Sequence, residues 1–325
     1  MNAARKHPVM VVCSACRDPC LGRALLIGKG APSMTRPNEA SDLETRGKAL
    51  YDFGNTILYA SKIDPRFCWM LYVPPDIHEP GPAPQLIVSM HGTGRNVADY
   101  RNWFSEFGQW NRCVVLAPLF PAGSGGNGDR DGYKYILDDG IRYDQILLGM
   151  VAEIEAKYSL RFPRFALWGY SGGGHFTHRF LLLHPERLWA ASIGAPGSVT
   201  LIDPQRDWWV GTRDMHALFG KTVDQAAMRA VAVHMVVGGA DRETWEITHR
   251  PGGRRTMDGA DDAGATRPDR LESLRRNFEA QGVRVTFDLV PGIAHDGPRL
   301  VEKAKLFFAQ TLRAMRQANG EQSGY

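Results

Sequence analysis

Short apolar runs alternate with helix-patterned segments along most of this 325-residue chain, and that alternation constrains its fold more than any other feature. Phe67 to Val73, Leu86 to Met90, Cys113 to Leu116, Phe165 to Trp168, Leu188 to Ile193, Val231 to Val237 and Val283 to Val290 all have strand length and strand composition. Several are apolar throughout, which suits strands covered on both faces. Between them, Tyr100, Trp103, Phe104 and Phe107 give Val97 to Trp110 a helical spacing. Ile146, Leu147, Met150, Val151 and Ile154 form the inner face of a helix over Ile141 to Tyr158. Gly172 to Leu183, Arg270 to Ala280 and Val301 to Met315 complete the helices. Strands alternating with helices predict an α/β fold, with a mostly parallel central sheet and helices on both faces. The stretch from Gly197 to Arg229 breaks the rhythm and reads as a small cap insertion. Residues 41–325 read as the folded domain. Residues 1–40 read as a disordered extension, or as sequence translated upstream of a start at Met34.

Composition removes several classes of function. The chain is 43% hydrophobic and 23% charged, with a formal net charge of only +4. Its basic pairs, Arg254–Arg255 and Arg275–Arg276, read as solvated surface, so no nucleic-acid partner is expected. No apolar run approaches the roughly 20 residues of a membrane span. Arg17 and Asp18 interrupt the stretch begun by Val9 to Val12 before a signal-peptide core can form. A cytoplasmic protein without a membrane partner is the expectation. Cys13, Cys16 and Cys20 have a spacing that can converge on a metal, but only His7 is near as a fourth ligand. No metal site and no cofactor are expected.

The strongest motif is G-Y-S-G-G, Gly169 to Gly173. The apolar run F-A-L-W leads straight into it and a helix leads out. A serine in that context sits on a sharp strand-to-helix turn that exposes its hydroxyl above the sheet. The helix leaving Ser171 aims its N-terminal dipole at the same place, which favours an oxyanion. The amide of Gly172, the residue after the serine, is one natural donor to that oxyanion.

On this motif the chain resembles the α/β-hydrolases, in particular the esterases that include polyhydroxybutyrate depolymerases and feruloyl esterases, over roughly residues 65–315. The resemblance implies a serine nucleophile, Ser171. It implies that H-G-T-G, His91 to Gly94, is the oxyanion segment, with Thr93 giving the second amide. His91 would orient this loop. It places the general base at His295, in V-P-G-I-A-H-D-G between the last strand and the last helix, with His249 as an outside candidate. Asp241 follows the penultimate strand, and the order Ser171, Asp241, His295 is that of the fold. Asp258, Asp261 and Glu243 are the fallback carboxylates. His175 and His178 share the nucleophile helix and read as packing residues.

Trp208 and Trp209 in the cap candidate, with Trp245, Tyr133, Phe120 and Tyr135 on neighbouring segments, suggest an apolar, aromatic-rich pocket. The expected activity is therefore hydrolysis of a small-molecule carboxylic ester with an apolar or aromatic part. A peptidase or amidase with the same triad is the alternative, since the motif does not distinguish the leaving group. A binding protein on a hydrolase scaffold is the non-enzymatic one. Dehalogenases and epoxide hydrolases of similar sequence are disfavoured, because they carry a carboxylate where Ser171 stands.

Overall fold

In the computed structural model, residues 39–126 and 128–320 are described. The proposed extension and its three cysteines lie outside them, apart from Glu39 and Ala40, which begin helix α1 (Glu39–Tyr51). Strands β1 (Gly54–Asn55) and β2 (Tyr59–Ala60) follow, then β3 (Cys68–Val73), β4 (Gln85–Met90), α2 (Val97–Asn111) and β5 (Cys113–Leu119). A short hairpin, β6 (Leu137–Asp138) and β7 (Ile141–Arg142), precedes α3 (Tyr143–Tyr158), β8 (Phe165–Tyr170), α4 (Gly172–Leu183) and β9 (Leu188–Gly194). The chain continues through α5 (Met215–Phe219), α6 (Gln225–Arg229), β10 (Ala232–Gly238), α7 (Arg267–Ala280), β11 (Val285–Val290) and α8 (Gly297–Ala318).

The main sheet has the order β1-β3-β5-β4-β8-β9-β10-β11, with β2 also on β3. β3 runs antiparallel to β1, β2 and β5, and every pairing from β5 to β11 is parallel. The mostly parallel α/β sheet expected from the alternation is the sheet observed. β8 and β9 are buried along their whole length, so helices cover both of their faces. α2 and α8 meet through Phe104 and Phe308, with ring centroids 6.0 Å apart.

The order of the strands fixes where a ligand can sit. From β4 the chain moves outward to β5, then returns to place β8 on the other side of β4. Ligands of open α/β sheets bind outside the carboxyl ends of the strands at such a reversal. Met90 of β4 is in register with Gly169 of β8, so the segments leaving these strands, H-G-T-G and Y-S-G-G, emerge side by side.

The stretch 197–229 is less a lid than a buttress. Val199, Met215, Phe219 and Met228 are buried in the main core. His175 and His178, one turn apart on α4, hold its beginning: their Nε2 atoms accept from the amides of Gly197 (2.7 Å) and Thr200 (3.0 Å).

Candidate active site

Ser171 caps α4 with φ +55° and ψ −116°, a conformation that an L-residue adopts at a cost. The flanking glycines make this turn feasible. A side chain on Gly169 would overlap the Gly173 carbonyl, and one on Gly173 would overlap the Met90 carbonyl. The turn is pinned by Ser171 N donating to Gly194 O at 2.8 Å.

The H-G-T-G segment, His91 to Gly94, lies against it. A methyl group placed on Gly172 would stand 3.0 Å from Thr93 N and would overlap the Tyr133 hydroxyl, so the Gly172 and Thr93 backbones lie close together beside Tyr133. Neither amide donates to another backbone group among the described residues. His91 organises the loop: its Nε2 accepts from Phe120 N at 3.0 Å, so Nδ1 carries the proton and donates to Gly92 O at 2.8 Å. Burial pulls the His91 pKa down to about 3, which keeps the ring neutral.

Asp241 and His295 reach the same sheet edge from β10 and β11. Gly238 pairs with Val290, and beyond that pair Gly239 N donates to Val290 O and Ala240 N to Ile293 O, each at 2.8 Å. This tie sets His295 Nδ1 2.6 Å from Asp241 Oδ2. The other oxygen, Oδ1, accepts from Arg267 Nη1 at 3.1 Å. Burial alone would raise the Asp241 pKa, but the hydrogen bond from His295 and the Arg267 guanidinium outweigh it and hold the carboxyl below its usual range. The Tyr170 ring supports the imidazole, with centroids 4.8 Å apart and its hydroxyl 3.1 Å from Nδ1. Nδ1 is thus engaged and Nε2 is left for a proton transfer. No hydrogen bond joins Ser171 Oγ to His295 here; such bonds often tighten only once substrate is bound.

No protein-family model matches the chain, and no curated protein sequence does. Solved structures do. Poly(aspartic acid) hydrolase-1 from Sphingomonas sp. KT-1 superposes with a TM-score of 0.61 at 21% identity, over 78% of this chain and 97% of that one. LpqC, a poly(3-hydroxybutyrate) depolymerase from Bordetella parapertussis, gives 0.61 at 22% identity over 82% and 97%. A ferulic acid esterase gives 0.51 at 16% identity over 80% and 99%. This chain has the α/β-hydrolase fold.

The cavity beside Ser171 and Thr93 is small, about 140 Å³, and its character departs from the sequence expectation. Trp208, Trp209, Trp245 and Tyr133 do not line it. The indole N–H groups explain two of these: Trp208 donates to Tyr135 O at 3.0 Å and Trp209 to Arg255 O at 3.2 Å, which binds both rings into the body of the fold. Tyr133 is buried beneath the oxyanion turn and donates to His91 O at 3.3 Å. Trp245 is 69% exposed. Phe120 is buried against Tyr133 and Phe176, whereas Tyr135 does line the cavity.

In place of the expected tryptophans the cavity has Arg130, Lys134, Arg255 and Arg267, facing Asp131 and Glu246. His175, His249 and Ser198 add polar wall. His249, the outside candidate for the base, lines the same cavity as Ser171; Asp261 Oδ1 takes its Nδ1 at 2.8 Å and Trp209 packs on its ring, a pairing like that of His295 with Asp241. Asp261 is in turn held by Arg270 at 2.6 Å. Asp258 and Glu243 make no contact with His295. Burial lowers the Lys134 pKa, and Asp131 at 2.7 Å opposes this. Beneath the floor lies Arg179, fully buried on α4, which burial brings down to about 9, so it stays charged at neutral pH. Arg255 belongs to a pair that sequence assigned to solvated surface. Its partners, Asp129 and Asp138, lie more than a hundred residues away, and no local pattern foretells them.

Proposed function

We propose that this chain is a serine hydrolase that cleaves carboxylic esters through an acyl-enzyme. One observation carries the reading: at the strand-order reversal, a serine on a strained turn lies near two amides that donate to no other backbone group among the described residues, on the sheet edge that also carries an imidazole whose Nδ1 is held by a carboxylate. Ser171 Oγ attacks the ester carbonyl carbon while its proton passes to His295 Nε2. The carbonyl oxygen, now an anion, is received by the Thr93 and Gly172 amides, where no reorganisation is needed. The C–O bond to the alcohol then breaks, and the imidazolium gives its proton to the departing oxygen. Water repeats the sequence on the acyl-serine and releases the acid. Asp241 fixes the imidazole tautomer and stabilises the imidazolium. Chain, substrate and water supply every atom, so no cofactor enters.

Amide cleavage by the same residues is the second reading, and the solved structures of this fold include a poly(aspartic acid) hydrolase as well as a poly(3-hydroxybutyrate) depolymerase. Hydrolysis of aryl acyl esters and of p-nitroanilide peptides, measured side by side, separates the two. The ester reading expects turnover of the esters and far slower turnover of the anilides. It also expects Ser171→Ala to lower ester turnover by roughly a thousandfold or more. Faster cleavage of the anilides would move the assignment to an amidase, and near-native turnover by Ser171→Ala would remove Ser171 from it.

A further inference from the structure

We infer that the cavity beside Ser171 is a carboxylate-binding subsite, so that the substrate carries an anionic group received by Lys134 and Arg255. The substrate half of this inference rests on the serine-hydrolase reading; the subsite itself does not.

The charges around the cavity do not close. Four lining residues are cationic, Arg130, Lys134, Arg255 and Arg267, against two carboxylates, Asp131 and Glu246. Asp131 is shared between Arg130 at 3.2 Å and Lys134 at 2.7 Å. Glu246 is taken by Arg267 at 2.7 Å, and that guanidinium also serves Asp241. Arg255 reaches Asp129 and Asp138 behind the wall through a single nitrogen, Nη2. Those two carboxylates are hydrogen-bonded to each other and are also shared with Arg254, at 3.4 Å from Asp129 and 2.9 Å from Asp138. Arg179 adds a further cation under the floor. Its partners are Thr200 Oγ1, Ser198 Oγ, Lys134 O and His175 Nδ1, with no carboxylate among the described residues.

Donors are also left over. Among the described residues, Arg255 Nε is buried with no hydrogen-bond partner, and Nη1 makes no hydrogen bond. Lys134 is nine-tenths buried and spends its ammonium on Asp131 alone. A buried guanidinium or ammonium with unmet hydrogen-bonding capacity is costly unless a ligand meets it. A neutral amide or hydroxyl in the cavity would satisfy donors but leave the excess positive charge. A carboxylate does both, through charge-assisted hydrogen bonds to Lys134 Nζ and Arg255 Nη1. At about 140 Å³ the cavity has room for such a group on a short stem.

The direct test is calorimetric titration of the full-length Ser171→Ala protein with glutarate and with glutaramide, which share a carbon skeleton and differ in charge. Glutarate is expected to bind at least about tenfold more tightly. That advantage should shrink as sodium chloride is raised, and should disappear in Ser171→Ala combined with Lys134→Met or with Arg255→Gln. Equal affinities for the two ligands, no binding of either, or an advantage that survives both substitutions would overturn the subsite. The comparison of ligands needs no cavity variant, so a variant that folds poorly does not decide the outcome. In parallel, wild-type protein is assayed on 4-nitrophenyl hexanoate and on the mono-4-nitrophenyl ester of adipate. Turnover of both with a higher kcat/KM for the adipate ester supports the anionic substrate, and turnover with no preference overturns it. Failure to cleave either ester would count against the hydrolase reading, while the titration still decides the subsite.

Discussion

Asp241 accepts from His295 through one oxygen and from Arg267 through the other, and it is fully buried. Exchanging it for asparagine keeps the shape but puts an amide where a carboxylate holds the Nδ1 proton of His295, which favours the wrong imidazole tautomer. Asp241→Asn is expected to lower kcat on an acetyl aryl ester by about 10³- to 10⁴-fold with little change in KM. Steady-state kinetics on protein whose melting curve has been checked measures this. An unchanged kcat would mean that another carboxylate orients the base. At this scale much was legible in the sequence, for a physical reason. The Ser171 turn, the His91–Gly94 segment and the loop of His295 each occupy a few consecutive residues whose geometry is set by local backbone demands, such as the room required beside Gly169 and Gly173. The cavity wall was not legible. Lys134, Arg255 and Arg267 come from three separate loops or helix ends and gain their meaning from partners such as Asp131, Asp138 and Glu246.

At the scale of elements, α4 does more than carry the dipole behind Ser171. His175 and His178 on this helix anchor the start of the 197–229 stretch by accepting from backbone amides. Burial, with the charge of Arg179 added for both and that of Lys134 for His175, holds both imidazoles well below the usual histidine range and therefore neutral. In the unfolded chain they titrate near pH 6.5. Below that pH the unfolded state binds protons that the folded state does not. Stability is therefore expected to be full above about pH 6.5 and to fall as pH drops through it. Thermal melts between pH 5 and pH 8 follow this directly. His178→Ala should remove the acceptor of Thr200 N, cost about 1 to 3 kcal/mol, and flatten part of the acid slope. An acid slope unchanged in both His175→Ala and His178→Ala would show that other groups set it. The boundaries of the long elements were readable from apolar spacing, and α4 occupies the expected Gly172 to Leu183. The strands β1 and β2 and the β6–β7 hairpin were not, because two-residue pairings carry no periodicity.

For the whole molecule, the site exists only because the sheet delivers distant segments to one edge. His91 to Gly94 leave β4, Ser171 leaves β8, Asp241 follows β10 and His295 follows β11, which separates the first and last by about two hundred residues of chain. Parallel pairing puts all four at the carboxyl ends of the strands, and the reversal at β4 and β8 opens the space between them. The alternation of strands and helices made that architecture readable. The polarity of the cavity emerged only when the loop 239–266 and the start of α7 were placed over it, since Glu246, His249, Arg255 and Arg267 all come from there. The central claim is that this assembled edge activates Ser171 as a nucleophile. Intact-mass analysis after exposure to a fluorophosphonate tests it most directly. The account predicts a single adduct on native protein, located at Ser171 by peptide mapping, and no adduct on heat-unfolded protein or on Ser171→Ala. Native, folded protein that takes no adduct, or takes it at another residue, would contradict the account.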